Sequence, residues 1–190
     1  DTGRLLWQGS AHESADLLCT ACHKIHQPDG VLQKEREMDV CTACHSKVRA
    51  DLFKAYVHPI REGLLTCSDC HSPHGSAADK ALNKLTLNQQ CFSCHAEKRG
   101  PFLWEHEPVT EDCSSCHYPH GSNNPALLVR RGPMLCQECH QVIGGGAGHA
   151  NVKRDWGPPG NLRFQVGANC QNCHSQVHGS NHPSGAALAR

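Results

Sequence analysis

The chain has 190 residues, with 18 Lys plus Arg balanced by 18 Asp plus Glu, 16 His, 14 Cys and only 5 % aromatic residues. A neutral balance without basic tracts excludes a nucleic-acid binder built on phosphate contacts, and so few aromatics leave little apolar bulk for the core that a chain of this length should bury. The longest apolar runs, such as Ala126 to Val129, are far shorter than the roughly 18 residues of a membrane span.

Taken in chain order, the sequence repeats. Residues 1–50 carry His12, then Cys19 and Cys22 followed at once by His23, then His26, then Cys41, Cys44 and His45. Residues 51–100 carry His58, then Cys67, Cys70 and His71, then His74, then Cys91, Cys94 and His95. Residues 101–146 carry His106, then Cys113, Cys116 and His117, then His120, then Cys136, Cys139 and His140. A half unit, residues 147–190, closes with His149, Cys170, Cys173 and His174, and His178. The likeness is plainest between TCSDCHSPHGSAADKAL from Thr66 and DCSSCHYPHGSNNPALL from Asp112. We read one domain built of two-motif repeats.

Local structure follows from the same residues. LNQQCFSCHAEKRG predicts a short helix that runs through its motif and stops at Gly100, and similar helices of one to three turns are expected at the other motifs. Pro59, Pro101 and Pro108 break any long helix. Turns are expected at HSPHGS and HYPHGS and between Gly144 and Gly160. The expected fold is mostly irregular with short α-helices and no substantial sheet.

All fourteen cysteines fall in CxxCH, the attachment signature of c-type haem. Two thiols one turn apart can add to the two vinyl groups on one porphyrin edge, and the next histidine then lies under the ring, where a neutral imidazole can hold iron. Redox dithiols, zinc ribbons and disulfide frameworks also use paired cysteines, but none demands a histidine after each pair. Seven covalent haems c are therefore expected, and they would supply the missing apolar interior. With two ionised propionates per haem, the loaded protein would carry about −7 when oxidised and about −14 when reduced.

The second axial position decides between a carrier and an enzyme, because iron with both positions filled cannot bind substrate. Nine histidines lie outside the motifs, and seven would be needed. His12, His58, His106 and His149 each precede an odd-numbered motif; His74, His120 and His178 each begin His-Gly-Ser. We expect the upstream four to complete the first haem of each unit, and the three others to complete the even-numbered haems of the preceding units. Glycine after each of the latter permits a tight turn. His26 and His182 are then surplus. A shifted scheme would place His26 on the second haem and leave His178, His149 and His182 to compete for the last. A surplus histidine could instead ligate a haem of another subunit. Only Met38 and Met134 could give methionine ligation, so it cannot be general.

CSDCHSPHGS, GPFLWEHEPVTEDCSSCHYPHGSNNPALL, PMLCQECH and CQNCHSQVHGSNHPSG resemble the MtrA/DmsE-type periplasmic multihaem cytochromes, with the pentahaem NrfB-type donors as smaller relatives. The resemblance implies low-spin, bis-histidine haems stacked in an elongated wire that relays electrons, often through an outer-membrane porin to a partner cytochrome. Familiar members have ten haems; this chain has seven motifs, as though the first three were missing. A shorter wire makes end-to-end assembly into a homopolymer filament worth considering, with His26 or His182 as an intersubunit ligand.

The resulting expectation is an electron carrier rather than an enzyme, exchanging electrons with other redox proteins. The alternative is a terminal reductase of nitrite, sulfite or a related oxyanion with one open haem; it lacks a CxxCK motif, and only Tyr56 and Tyr118 could serve its pocket as tyrosines. Haem attachment implies export to the periplasm or beyond, and the polar start at Asp1 reads as a mature chain from which a signal has been removed. Residues Gln141 to Asn169, with Trp156, read as either a partner contact or a surface loop.

Overall fold

The structure, a computed structural model, describes residues 6–140, 169–183, 185, 186 and 188. His149, Trp156 and the Gln141 to Asn169 interval, read as either a partner contact or a surface loop, lie outside the described residues, except for Asn169.

The helices are short. They are α1 (Ala11–Ser14), α2 (Cys19–Cys22), α3 (Lys34–Thr42), α4 (Ser46–Asp51), α5 (Leu87–Phe92), α6 (Glu107–Glu111) and α7 (Met134–Gln137), with short 3₁₀ turns interspersed. Local capping explains several starts. Ser10 accepts the Glu13 amide at 3.1 Å while the Glu13 carboxylate accepts the Gly9 amide at 3.0 Å, and Thr86 accepts the Gln89 amide at 3.2 Å. The helix expected from Leu87 to Gly100 is interrupted. It ends at Phe92, His95 leaves helical geometry at φ −101° and ψ 51°, and a separate 3₁₀ turn covers Ala96–Lys98. Gly100 then takes φ +77° and stops the chain's helical course.

No β-strand occurs among the described residues, as expected; there are four isolated bridges. Two join neighbouring units: Tyr56 pairs with Ser122 and Trp104 with Ser180, each through two reciprocal N–H···O bonds of 2.9 Å. Side chains add further clasps. Glu37, buried in α3, accepts from the Ser68 amide at 2.7 Å and the Ser68 hydroxyl at 3.0 Å. Asn88 in α5 accepts from the Cys113 amide at 2.9 Å and donates to the carbonyls of Val109 and Thr110 at 3.0 and 3.1 Å.

Apolar burial is scarce. Among the described residues only Leu52, Leu82 and Leu188 are buried hydrophobics, while Leu18, Leu32 and Leu64 are 73 %, 78 % and 72 % exposed. Polypeptide alone therefore does not enclose a core, and hydrogen bonds between units hold the arrangement in place of packed side chains.

Candidate metal centres

Each of the seven motifs folds into the same local turn. The histidine amide donates to the carbonyl of the first cysteine, four residues back, at 2.8 to 3.1 Å in every case. One helical turn thus carries both cysteines and the histidine. The sequence leads into six of the seven in two ways, the first motif being the short helix α2. The second motif of each unit grows out of a helix, α3, α5 or α7, whereas the third, fifth and seventh motifs are isolated 3₁₀ turns held by the residue just before them. Thr66 donates its amide and hydroxyl to the Asp69 carboxylate at 2.7 and 2.9 Å; Asp112 accepts the Ser114 amide at 2.7 Å; Asn169 accepts the Gln171 amide at 3.2 Å.

Six motif histidines each face a second histidine. The ring centres are 5.8 Å apart for His23 and His74, 6.0 Å for His45 and His12, 6.0 Å for His71 and His120, 6.3 Å for His95 and His58, 6.1 Å for His117 and His178, and 6.0 Å for His140 and His106. The interplanar angles range from 13° to 59°, so no single ring-stacking geometry sets this spacing. A shared metal would. A metal–imidazole bond is about 2 Å and the ring centre lies about 1 Å beyond the nitrogen, so two imidazoles on opposite sides of one ion have centres about 6 Å apart.

The pairing differs from the expected one. His12, His58 and His106 face the second motif histidine of their own unit, not the first. His74, His120 and His178 do reach back to the preceding unit, but to its odd-numbered motif. The alternative that placed His26 on the second site is likewise displaced, because His12 occupies the position opposite His45. His26 is exposed and belongs to none of the six pairs. His174 lies on its motif turn, and His149 is outside the described residues.

Hydrogen bonds explain the exchange. The upstream histidines donate Nδ1–H to the carbonyl just before each His-Gly-Ser histidine: His12 to Pro73 at 2.8 Å, His58 to Pro119 at 2.7 Å and His106 to Val177 at 2.9 Å. His71 and His117 donate to the carbonyls of Lys80 and Ala126 at 2.9 and 2.8 Å. A carbonyl can only accept, so Nδ1 carries the proton and Nε2 keeps its lone pair for a metal. His23 instead donates to the Asp29 carboxylate at 2.7 Å, and this bond is the chief reason the Asp29 carboxyl is held below the usual range. Burial pushes His120 and His178 down, with the fields of His71 and Lys98 respectively adding to it, which favours the neutral, ligating form.

The cysteines of successive motifs adjoin. The Cys41 and Cys67 sulfurs and a Glu37 oxygen lie within 4.8 Å of one another. The thiol–thiol hydrogen bond pushes Cys41 up and Cys67 down. Cys91 is pushed up in the same way by Cys113, whose own thiol falls to about 7. Cys136 rises to about 11, through burial first and Cys170 next. Within units, Cys22 acts on Cys41, Cys94 on Cys70 and Cys139 on Cys116. Thioether sulfur does not titrate, so these shifts belong to the unloaded thiols. Glu37 is satisfied by Ser68 and is a clasp between units.

The glycine after each back-reaching histidine is required by a crossing chain. A Cβ on Gly75, at φ +109°, would lie 2.1 Å from the Leu6 carbonyl oxygen; on Gly121, 2.0 Å from that of Asp51; on Gly179, 2.3 Å from the Phe102 ring. The serine that follows accepts the amide two residues on, as Ser76 does from Ala78, Ser122 from Asn124 and Ser180 from His182, each at 3.0 Å. Sequence reading missed Asp29, Glu37, Asn88 and these serines. The serines recur in His-Gly-Ser, and Asp29 follows a break in the repeat, where the first unit reads KIHQP and the later units read SPHGS and YPHGS.

Three segments, residues 12–50, 58–100 and 106–144, match the doubled CXXCH motif family. Over its whole length the chain is 53 % identical to Multiheme cytochrome MtrA of Shewanella baltica (strain OS185), and it spans 58 % of that protein. With paired CxxCH turns along the fold and this identity across the full chain, the chain belongs to the doubled-CXXCH, MtrA-type multihaem cytochromes.

Proposed function

We propose that this chain is an electron carrier in which each of the seven CxxCH motifs holds a covalent haem c between two histidines. The observation that carries the reading is the set of six facing imidazole pairs at 5.8 to 6.3 Å. The motif cysteines would form the thioethers. His23, His45, His71, His95, His117 and His140 would ligate on one side, with His74, His12, His120, His58, His178 and His106 opposite them. His174 would hold the seventh, with His149 as its partner. Bound haem would supply one-electron redox chemistry.

The protein's part is placement. Because cysteines of each motif adjoin those of the next, from Cys22 and Cys41 through to Cys136 and Cys170, the cofactors would follow one another in chain order as a wire. The upstream histidine of each second site is bonded beside the histidine that completes the first site, so the two sites of a unit are set by one contact. No helix among the described residues is long and apolar enough to cross a membrane. A periplasmic or extracellular location suits haem attachment, and the partners would be other cytochromes and an outer-membrane porin.

The test is the mass of the purified chain together with its EPR spectrum when oxidised. Seven haem adducts and low-spin iron alone are expected, and His58→Ala should convert one haem to high spin. A stoichiometric high-spin signal in the unaltered protein would favour the reductase instead.

A further inference from the structure

The three odd-numbered motif histidines with described partners are chemically unequal. His71 and His117 donate to neutral carbonyls, of Lys80 and Ala126, and these stand on turns of matched build: Lys80 and Ala81 at φ 55° and 52°, Ala126 and Leu127 at φ 54° and 58°. The first unit lacks that turn. In its place Asp29 begins a 3₁₀ turn over Gly30–Leu32, accepting the Val31 amide on Oδ1 at 3.2 Å and the His23 Nδ1–H on Oδ2 at 2.7 Å. The carboxylate is therefore anchored by one oxygen and aimed by the other, and its side chain is only 14 % exposed. A second carboxylate lies near a motif histidine, Glu97 beside His95, but at 3.9 Å and with 61 % exposure it makes no hydrogen bond.

We infer that Asp29 is a positioning and tuning residue that sets the first haem apart by holding it at a lower reduction potential than the haems of His71 and His117. This rests on the reading that His23 and His74 ligate iron. A carboxylate at Nδ1 draws the proton away from the ring and makes Nε2 a stronger donor, which stabilises ferric over ferrous iron; a carbonyl in the same place does so less. The electron step is balanced without chemistry on the protein. One electron from an external reductant enters, the iron passes from the ferric to the ferrous state, and the Nδ1 proton stays between His23 and Asp29.

The test is a potentiometric titration of the haem-loaded protein followed by visible absorption, with dithionite as reductant, on the wild type, Asp29→Asn and Asp29→Glu. Asn keeps an oxygen for Val31 or His23 and removes the charge; Glu keeps the charge. In Asp29→Asn one one-electron component should move upward by a tenfold change in its equilibrium constant or more, about 59 mV, with every haem still low spin by EPR. Asp29→Glu should restore most of the wild-type curve. An Asp29→Asn curve superimposable on the wild type, with all haems low spin, overturns the inference. So does a new high-spin signal at unchanged potentials, because Asp29 would then only hold the ring. Absence of bis-imidazole low-spin iron in the wild type would instead overturn the ligation reading beneath it, and the two failures are told apart by that first spectrum.

Discussion

Gly121→Ala places a methyl carbon 2.0 Å from the Asp51 carbonyl oxygen and 2.9 Å from its carbon. Both are backbone atoms at the end of α4, so no flexible side chain can yield. Contacts below about 3 Å are essentially not tolerated by packed atoms, and the two segments must therefore separate by about 1 Å. The neighbours on either side of Gly121 feel the shift: Ser122 is bridged to Tyr56 by two bonds of 2.9 Å, and His120 faces His71 at 6.0 Å. Losing both bridge bonds costs about 2 kcal/mol, and the forced expansion adds about 1–3 kcal/mol. A 1 Å withdrawal is also half the length of a coordination bond of about 2 Å. On the ligation proposed above, a haem held between His71 and His120 should lose its second ligand. Low-temperature EPR should show about one high-spin haem, and the denaturation midpoint should fall accordingly. Gly9→Ala is the comparison, because Gly9 sits at φ +84° with nothing within 4 Å; it should destabilise by only about 1 kcal/mol and leave the spectrum alone. A low-spin Gly121→Ala protein with wild-type stability would refute the crossing as the reason for glycine.

Asn88→Ala removes one acceptor and two donated bonds at a buried clasp between the fourth and fifth motifs, and should cost about 2–3 kcal/mol in chemical denaturation; a loss below about 0.5 kcal/mol would show that solvent replaces the clasp. Asp69→Asn probes the turn before the third motif. The Thr66 amide, and next its hydroxyl, hold the Asp69 carboxyl below its usual range, so its stabilisation is complete above the ordinary carboxylate range and fades as pH falls through the lowered value. Asp69 is exposed, which keeps the effect under about 1 kcal/mol. The variant should be less stable than wild type at pH 7, with the gap closing in acid, and a gap that is constant with pH would contradict the assignment.

The sequence by itself settled everything that one helical turn can settle. Cys19, Cys22 and His23, and their six counterparts, lie within five residues, and the bond from the histidine amide to the first cysteine carbonyl forms locally in all seven. The prolines and glycines between them likewise limited helices to a few residues and left no run for a sheet. His12, His58, His106, His74, His120 and His178, which face motif histidines, were legible as a set, because their place repeats with the motifs; His149, grouped with them, lies outside the described residues. Which motif each one faces was not legible. That depends on contacts between units distant in sequence, such as His58 with the Pro119 carbonyl and Gly121 against Asp51, and a carbonyl carries no mark in its residue type. The break in the repeat after His23 was visible but its meaning was not: the first unit uses an acidic side chain where the two units after it use backbone, and only the folded chain brings Asp29 to His23. Tertiary structure decided the pairing because an imidazole is aimed by whatever accepts its Nδ1–H, and those acceptors come mostly from the next turn or the next unit.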